Sequence, residues 1–169
     1  MSERTNDGAS VHVTTPESEV AQLADASRAH GPGELGALAC KLYDENPNLT
    51  EEEAYEAFIG WVESRGIELW PHQEEALMSI MVGDHVILGT PTGSGKSLVA
   101  LGMHFIAMCF GERSYYTAPI KALVSEKFFN LVDILGRENV GMITGDVHIN
   151  TSAPVICCTE EILANQALA

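Results

Sequence analysis

The sequence predicts an α/β fold, a parallel sheet with helices on both faces, and three observations carry that expectation. From Ile67 onward, short apolar runs alternate with amphipathic ones. The apolar runs "HVILG", "RSYYTAP", "VGMITG" and "APVICCT" have the length of strands and are rich in β-branched and aromatic residues. Between them lie longer segments with apolar residues at helical spacing, punctuated by Gly and Pro at the turns.

Each element can be justified in chain order. Residues 1–33 are rich in Ser, Thr, Asp, Glu, Gly and Pro, end in "HGPG" and show no hydrophobic periodicity, so they are expected to form a disordered acidic tail. Residues 34–66 are expected to form a helical extension. Leu35, Leu38 and Leu42 fall on one helical face, and Thr50 with Glu53 makes a capping box ahead of Ala54, Phe58, Trp61 and Val62. Residues 67–169 then carry the alternating region. It opens with a helix that has Pro71 near its start and Gly83 past its end. A strand over Val86–Leu88, a glycine-rich loop and a helix from about Ser97 to Phe110 follow. After these come a strand at "RSYYTAP", a helix over "IKALVSEKFFNLVDILG", strands at "VGMITG" and "APVICCT", and a last helix at "EEILANQALA".

With 169 residues and 46% hydrophobic residues, the chain can bury a sizeable core. Its formal net charge of −15 opposes a polyanionic partner, because a negative field repels phosphate. The charge is uneven, however. Residues 1–63 hold thirteen Asp and Glu against three Lys and Arg, whereas residues 64–169 hold eleven against six. The N-terminus has no apolar stretch of signal-peptide type. The longest apolar run, Leu98 to Phe110, is interrupted by His104 and too short to span a bilayer, so a cytoplasmic protein without membrane contact is expected. Cys40, Cys109, Cys157 and Cys158 contain no C-x-x-C spacing and suggest reduced core thiols, with neither a zinc site nor a disulfide framework.

The stretch "VILGTPTGSGKS", residues 86–97, approximates the phosphate-loop pattern G-x-x-x-x-G-K-[ST], with Thr90 where the first glycine would stand. The physical demands of such a loop are met one by one. A short apolar strand delivers the chain, and Gly93 and Gly95 let backbone N–H groups converge on phosphate oxygens. Thr92 and Ser94, between and beside these glycines, are expected to bind the nucleotide with them. A helix starts at its end, so that its positive pole faces the anion. Lys96 can reach the terminal phosphates as the catalytic cation, and the Ser97 hydroxyl can bind the Mg2+ that accompanies a nucleotide.

The form small-x-T-G-x-G-K-[ST], with Pro91 and Thr92 before the first glycine, resembles motif I of the superfamily 2 helicases of the DEAD/DEAH (DExH) box class. Other stretches carry the same resemblance. "LWPHQEEAL" offers Trp70 to stack on adenine and Gln73 to hydrogen-bond its edge. "YYTAPIKALVSEKF" is similar to motif Ia, in which Pro119 opens a helix and Lys121 grips a strand phosphate. "MITGDV" and "ICCTEEIL" are similar to two later elements, through which Thr144, Gly145 and Thr159 would touch a sugar-phosphate backbone. Glu126 and Glu160 depart from the residues usual at their positions. The wording "GERSYYTAPIKALVSEKFF" places the likeness nearest to actinobacterial relatives of the exosome-associated RNA helicases. The resemblance implies a RecA-like P-loop NTPase domain that binds ATP, Mg2+ and single-stranded RNA or DNA, within an ATP-dependent helicase or translocase.

No strand ends in the D-E-x-[HD] that such enzymes use; Asp133 sits in a helical pattern and Asp146 follows a glycine turn. The chain also stops inside an amphipathic helix at "NQALA". It is therefore expected to be the front portion of a first motor domain, incomplete without the remainder of the helicase chain, binding MgATP but not hydrolysing it alone. Two other readings stay open: another P-loop NTPase or small-molecule kinase, although only Arg113 and Arg137 follow the loop to serve a lid, and a non-catalytic nucleotide-binding or interaction module.

Overall fold

The structure, a computed structural model, describes residues 16–88 and 95–168. Seven helices and four strands occur among them: α1 (Pro16–His30), α2 (Glu34–Glu45), α3 (Glu51–Ser64), α4 (Pro71–Met81), α5 (Lys96–Cys109), β1 (Ser114–Ala118), α6 (Lys121–Leu135), β2 (Val140–Ile143), β3 (His148–Ile149), β4 (Val155–Thr159) and α7 (Glu160–Ala167). The sheet order is β1-β4-β2-β3; the first three strands are parallel and β3 pairs antiparallel with β2.

Register divides the sheet into two faces, because successive side chains alternate. Tyr116 aligns with Cys157, and Cys157 with Met142, facing α5 and α6. Ile156, Cys158 and Ile143 face the other way, against Ile162 and Leu163 of α7. Both faces of β4 are consequently buried, as its unbroken apolar run requires. The expected α/β architecture is present, a parallel-dominated sheet with helices on both faces.

α5 is the hub of the larger core. Leu98, Leu101 and Phe105 are fully buried, and the helix packs against α1, α2, α3, α4 and β1. Thr50 and Glu53 form the expected capping box, Thr50 Oγ1 accepting from the Glu53 N–H at 3.2 Å and Glu53 Oε2 from the Thr50 N–H at 3.0 Å. It fixes the start of α3, so that Ala54, Phe58, Trp61 and Val62 enter the same core as α5. Gly36 lets α2 cross the end of α6, since a Cβ there would fall 1.7 Å from Leu135 O.

Three expectations need correction. Residues 16–30, assigned to a disordered tail, form α1, and Val20, Leu23 and Ala24 are buried against α5 and α6. The stripe Val20, Leu23, Ala24, Ser27 has helical spacing but runs for only two turns and half of it is small residues. Tertiary packing and the 2.6 Å Arg28–Asp133 ion pair hold what propensity alone would not. The second correction concerns Val86–Leu88, which form no strand. Val86 and Leu88 are partly buried, whereas Ile87 is 95% exposed. A strand exists only where a neighbour completes its ladder, and among the described residues β1 pairs with β4 alone. Finally, Cys40 is exposed, so only Cys109, Cys157 and Cys158 are core thiols. Among the described residues no helix is long and apolar enough to cross a membrane.

Candidate nucleotide and nucleic-acid site

Thr92, Gly93 and Ser94 lie outside the described residues. The described part of the loop begins at Gly95, the N-cap of α5, whose φ of +84° lies in the left-handed region. Side chains other than glycine are strained there, and the space is already filled: a Cβ would sit 1.7 Å from Gln73 Nε2. Glycine at 95 is thus required twice, by its backbone and by its neighbour. Lys96 is exposed and Ser97 half-buried on the first turn of α5, at the helix pole that attracts anions.

Gln73 is 0% exposed and its amide is fully engaged. Its Oε1 accepts from the Trp70 backbone N–H at 2.8 Å, which fixes the start of α4. Its Nε2 donates to Gly95 O at 3.3 Å and to Glu19 Oε2 at 3.5 Å. One side chain therefore ties α4, the Gly95 turn and α1 together. Burial holds the Glu19 carboxyl above the usual carboxylate range, with the Gln73 N–H and the nearby His72 pulling it back. Trp70 is 61% exposed, with its ring 6.5 Å from that of His72. Sequence reasoning placed Gln73 at the site but left Glu19 in the tail, because nothing in the local pattern connects two residues 54 positions apart.

A second missed residue is Lys127 on α6. Its Nζ donates to Ser97 Oγ at 3.2 Å and stands 5.7 Å from the centroid of the Tyr116 ring on β1. Behind it, His104 Nδ1 and Ser114 Oγ share a 2.7 Å hydrogen bond in the core. Burial, with the Lys127 charge second, lowers the His104 pKa to about 4. The Ser97 oxygen accepts from a cation, so its lone pairs, which a hard divalent ion needs, face the cleft between α5, α6 and β1. Its donor chemistry fits Mg2+. Among the described residues no group of three or more His, Cys, Asp or Glu could hold a metal.

The remaining predicted residues gather on the carboxyl edge of the sheet. Ala118 aligns with Thr159, and Cys158 with Ile143, so Pro119–Lys121, Thr159 and Thr144–Gly145 leave neighbouring strands at one level. Pro119, Lys121 and Gly145 are exposed. The two threonines are buried and their hydroxyls are engaged: Thr144 Oγ1 donates to Asp146 Oδ1 at 3.1 Å and accepts from the Val147 N–H at 3.2 Å, while Thr159 Oγ1 donates to Glu161 Oε1 at 2.9 Å. They shape the turns instead of presenting hydroxyls outward. Lys121 Nζ binds both oxygens of Asp146, at 2.9 and 2.7 Å, spanning the end of β4. The bonds from Lys121 and Thr144 hold the exposed Asp146 carboxyl below its usual range.

The family profile described as DEAD/DEAH box helicase matches residues 70–166, from the Trp70 cap through α7. Curated relatives agree. The chain is 36% identical over 97 residues to a probable helicase, HelY, of Mycobacterium tuberculosis, covering 57% of this chain and 11% of that protein. It is 39% identical over 93 residues to the chloroplastic DExH-box ATP-dependent RNA helicase DExH15 of Arabidopsis thaliana, covering 55% and 8%. To the antiviral helicase SKI2 of Saccharomyces cerevisiae it is 40% identical over 98 residues, covering 57% and 8%. The matched segment thus spans about a tenth of the length of these relatives.

Proposed function

The chain belongs to the DEAD/DEAH box helicase family, and from that premise we propose that it forms part of an ATP-dependent motor acting on single-stranded nucleic acid. In this reading Thr92, Gly93, Ser94, Gly95, Lys96 and Ser97 bind the phosphates of the nucleotide. The carboxyl edge of the sheet receives the strand. The observation that carries the proposal is the start of α5: a left-handed Gly95, an exposed Lys96 and a Ser97 oxygen at a helix pole, with Gln73 pressed against the glycine. Backbone amides there meet phosphate at the positive end of the helix, Lys96 supplies charge, and Ser97 would hold Mg2+, which neutralises phosphate charge when bound. Trp70 offers an exposed ring for the base.

The base itself would be read through Gln73. A side-chain amide has both a donor and an acceptor, which suits the N6 donor and N7 acceptor of adenine, whereas guanine offers two acceptors, O6 and N7, on the same edge. One amide hydrogen is given to Glu19 and the other to Gly95 O, so adenine would gain the first only when Glu19 withdraws. On the strand side, Pro119, Lys121, Gly145 and the backbone of the Thr144 and Thr159 turns would contact phosphate and sugar, which RNA and DNA both offer.

Displacement of a fluorescent ATP analogue by ATP and by GTP tests this reading. Gln73→Ala should weaken ATP far more than GTP, while Glu19→Ala should strengthen ATP by about fivefold, the equivalent of one hydrogen bond of roughly 1 kcal/mol. Equal effects on both nucleotides in both variants would remove the adenine assignment.

A further inference from the structure

Lys127 lies within the motif-Ia-like stretch but is given no role there, yet its ammonium reaches the hydroxyl through which the nucleotide site would hold its metal. It lies on α6, six residues after Lys121, and is half-buried between α5, α6 and β1. The Tyr116 ring supports it from the sheet side, and its Nζ donates to Ser97 Oγ at 3.2 Å. Its charge is felt deeper in the core, at His104 and Cys157.

A magnesium ion held at this site would need the Ser97 oxygen as a ligand. An ammonium donating to the same oxygen would then be a near neighbour of the divalent ion, and in a partly desolvated cleft the two repel strongly. The two cations are therefore alternatives at Ser97. Without metal, a triphosphate brings its full negative charge to the start of α5, and a second lysine that reaches Ser97 offsets part of it.

We propose that Lys127 is a second lysine of the nucleotide site that stands in for the divalent cation: it engages Ser97 and supports metal-free nucleotide, and it leaves Ser97 when the metal arrives. The proposal rests on the reading of Lys96 and Ser97 as the phosphate end of the site.

The test is ATP binding measured with excess Mg2+ and again with EDTA, for the wild-type chain, Lys127→Gln, Lys127→Arg and Lys96→Ala. The quantity to follow is the ratio of the metal-free to the Mg2+-containing Kd. In Lys127→Gln this ratio should rise about tenfold, the loss of one charge-assisted hydrogen bond, and Lys127→Arg should bring it back toward wild type. A Lys127→Gln ratio equal to wild type, whatever happens to the separate affinities, would show that Lys127 is merely structural. Lys96→Ala addresses the underlying reading by itself: it should weaken binding in both buffers, and binding that ignores it would overturn the phosphate site, and the proposal with it.

A second measurement needs no variant. With amine-reactive labelling read by mass spectrometry, Lys127 should be protected in wild-type chain with metal-free ATP and labelled faster with MgATP. Equal labelling in the two conditions would overturn the exchange at Ser97.

Discussion

Acidification from pH 7.5 to pH 5 should cost this fold about 2 kcal/mol through one residue, His104. The imidazole is fully buried on α5, shares a hydrogen bond with Ser114, and feels the nearby Lys127 charge, so its pKa falls from 6.5 to about 4. In the unfolded chain the ring takes its proton near 6.5. The sign follows: the folded state resists protonation, so the associated stability is complete above pH 6.5 and is lost as pH falls through 6.5 toward 4. A shift of this size corresponds to about 3 kcal/mol in the acid limit, of which about 2 kcal/mol has gone by pH 5. Glu19 acts in the opposite sense, because its raised pKa makes protonation favour the fold. Comparison with His104→Gln removes that and every other shared contribution. Urea unfolding of both proteins at the two pH values isolates the term, and a thermal melt should place it at roughly 4–8 °C. Identical acid losses in wild type and His104→Gln would refute the assignment.

Gly95→Ala should lose at least about 1–2 kcal/mol from its left-handed backbone alone, and more from the contact with Gln73; thermal melts of the single variant and of Gly95→Ala with Gln73→Ala separate the two, since only the steric part should be recovered. Lys121→Ala should lower the salt slope of single-strand binding by about one unit, whereas Asp146→Asn, which releases Lys121 from its carboxylate, should strengthen that binding. Anisotropy with a labelled oligonucleotide across a salt series reads both, and an unchanged slope in Lys121→Ala would take this lysine out of the interface.

The parts of the fold that sequence made legible are those in which local pattern and tertiary packing agree. The Thr50–Glu53 box, the Pro71 start and Gly83 stop of α4, and the apolar runs of β1, β2 and β4 each carry their own signal and stand within a residue or two of the expected place. β3 was not legible because two residues have no period, and α1 because its buried stripe is short and half small. The expected strand at Val86–Leu88 shows the reverse: its pattern is strand-like, but a strand is a property of a pair. The candidate site residues follow the same division. Gly95, Lys96, Ser97, Pro119 and Lys121 stand in motifs with fixed spacing, while Glu19 and Lys127 reach the site from other helices, through contacts 54 and 30 residues apart that no spacing rule contains. The threonines were legible as positions and not as contacts, since their hydroxyls turn inward to Asp146 and Glu161.

The central claim is that the start of α5 is a phosphate site. Calorimetric titration of the chain with MgATP, beside the same titration of Lys96→Ala, tests it most directly, because Lys96 is exposed and its loss removes charge from the site without opening the core. The account predicts saturable binding at one site in the wild type and at least about a tenfold loss in the variant. Equal affinity in the two proteins, or no heat of binding in either, would contradict it.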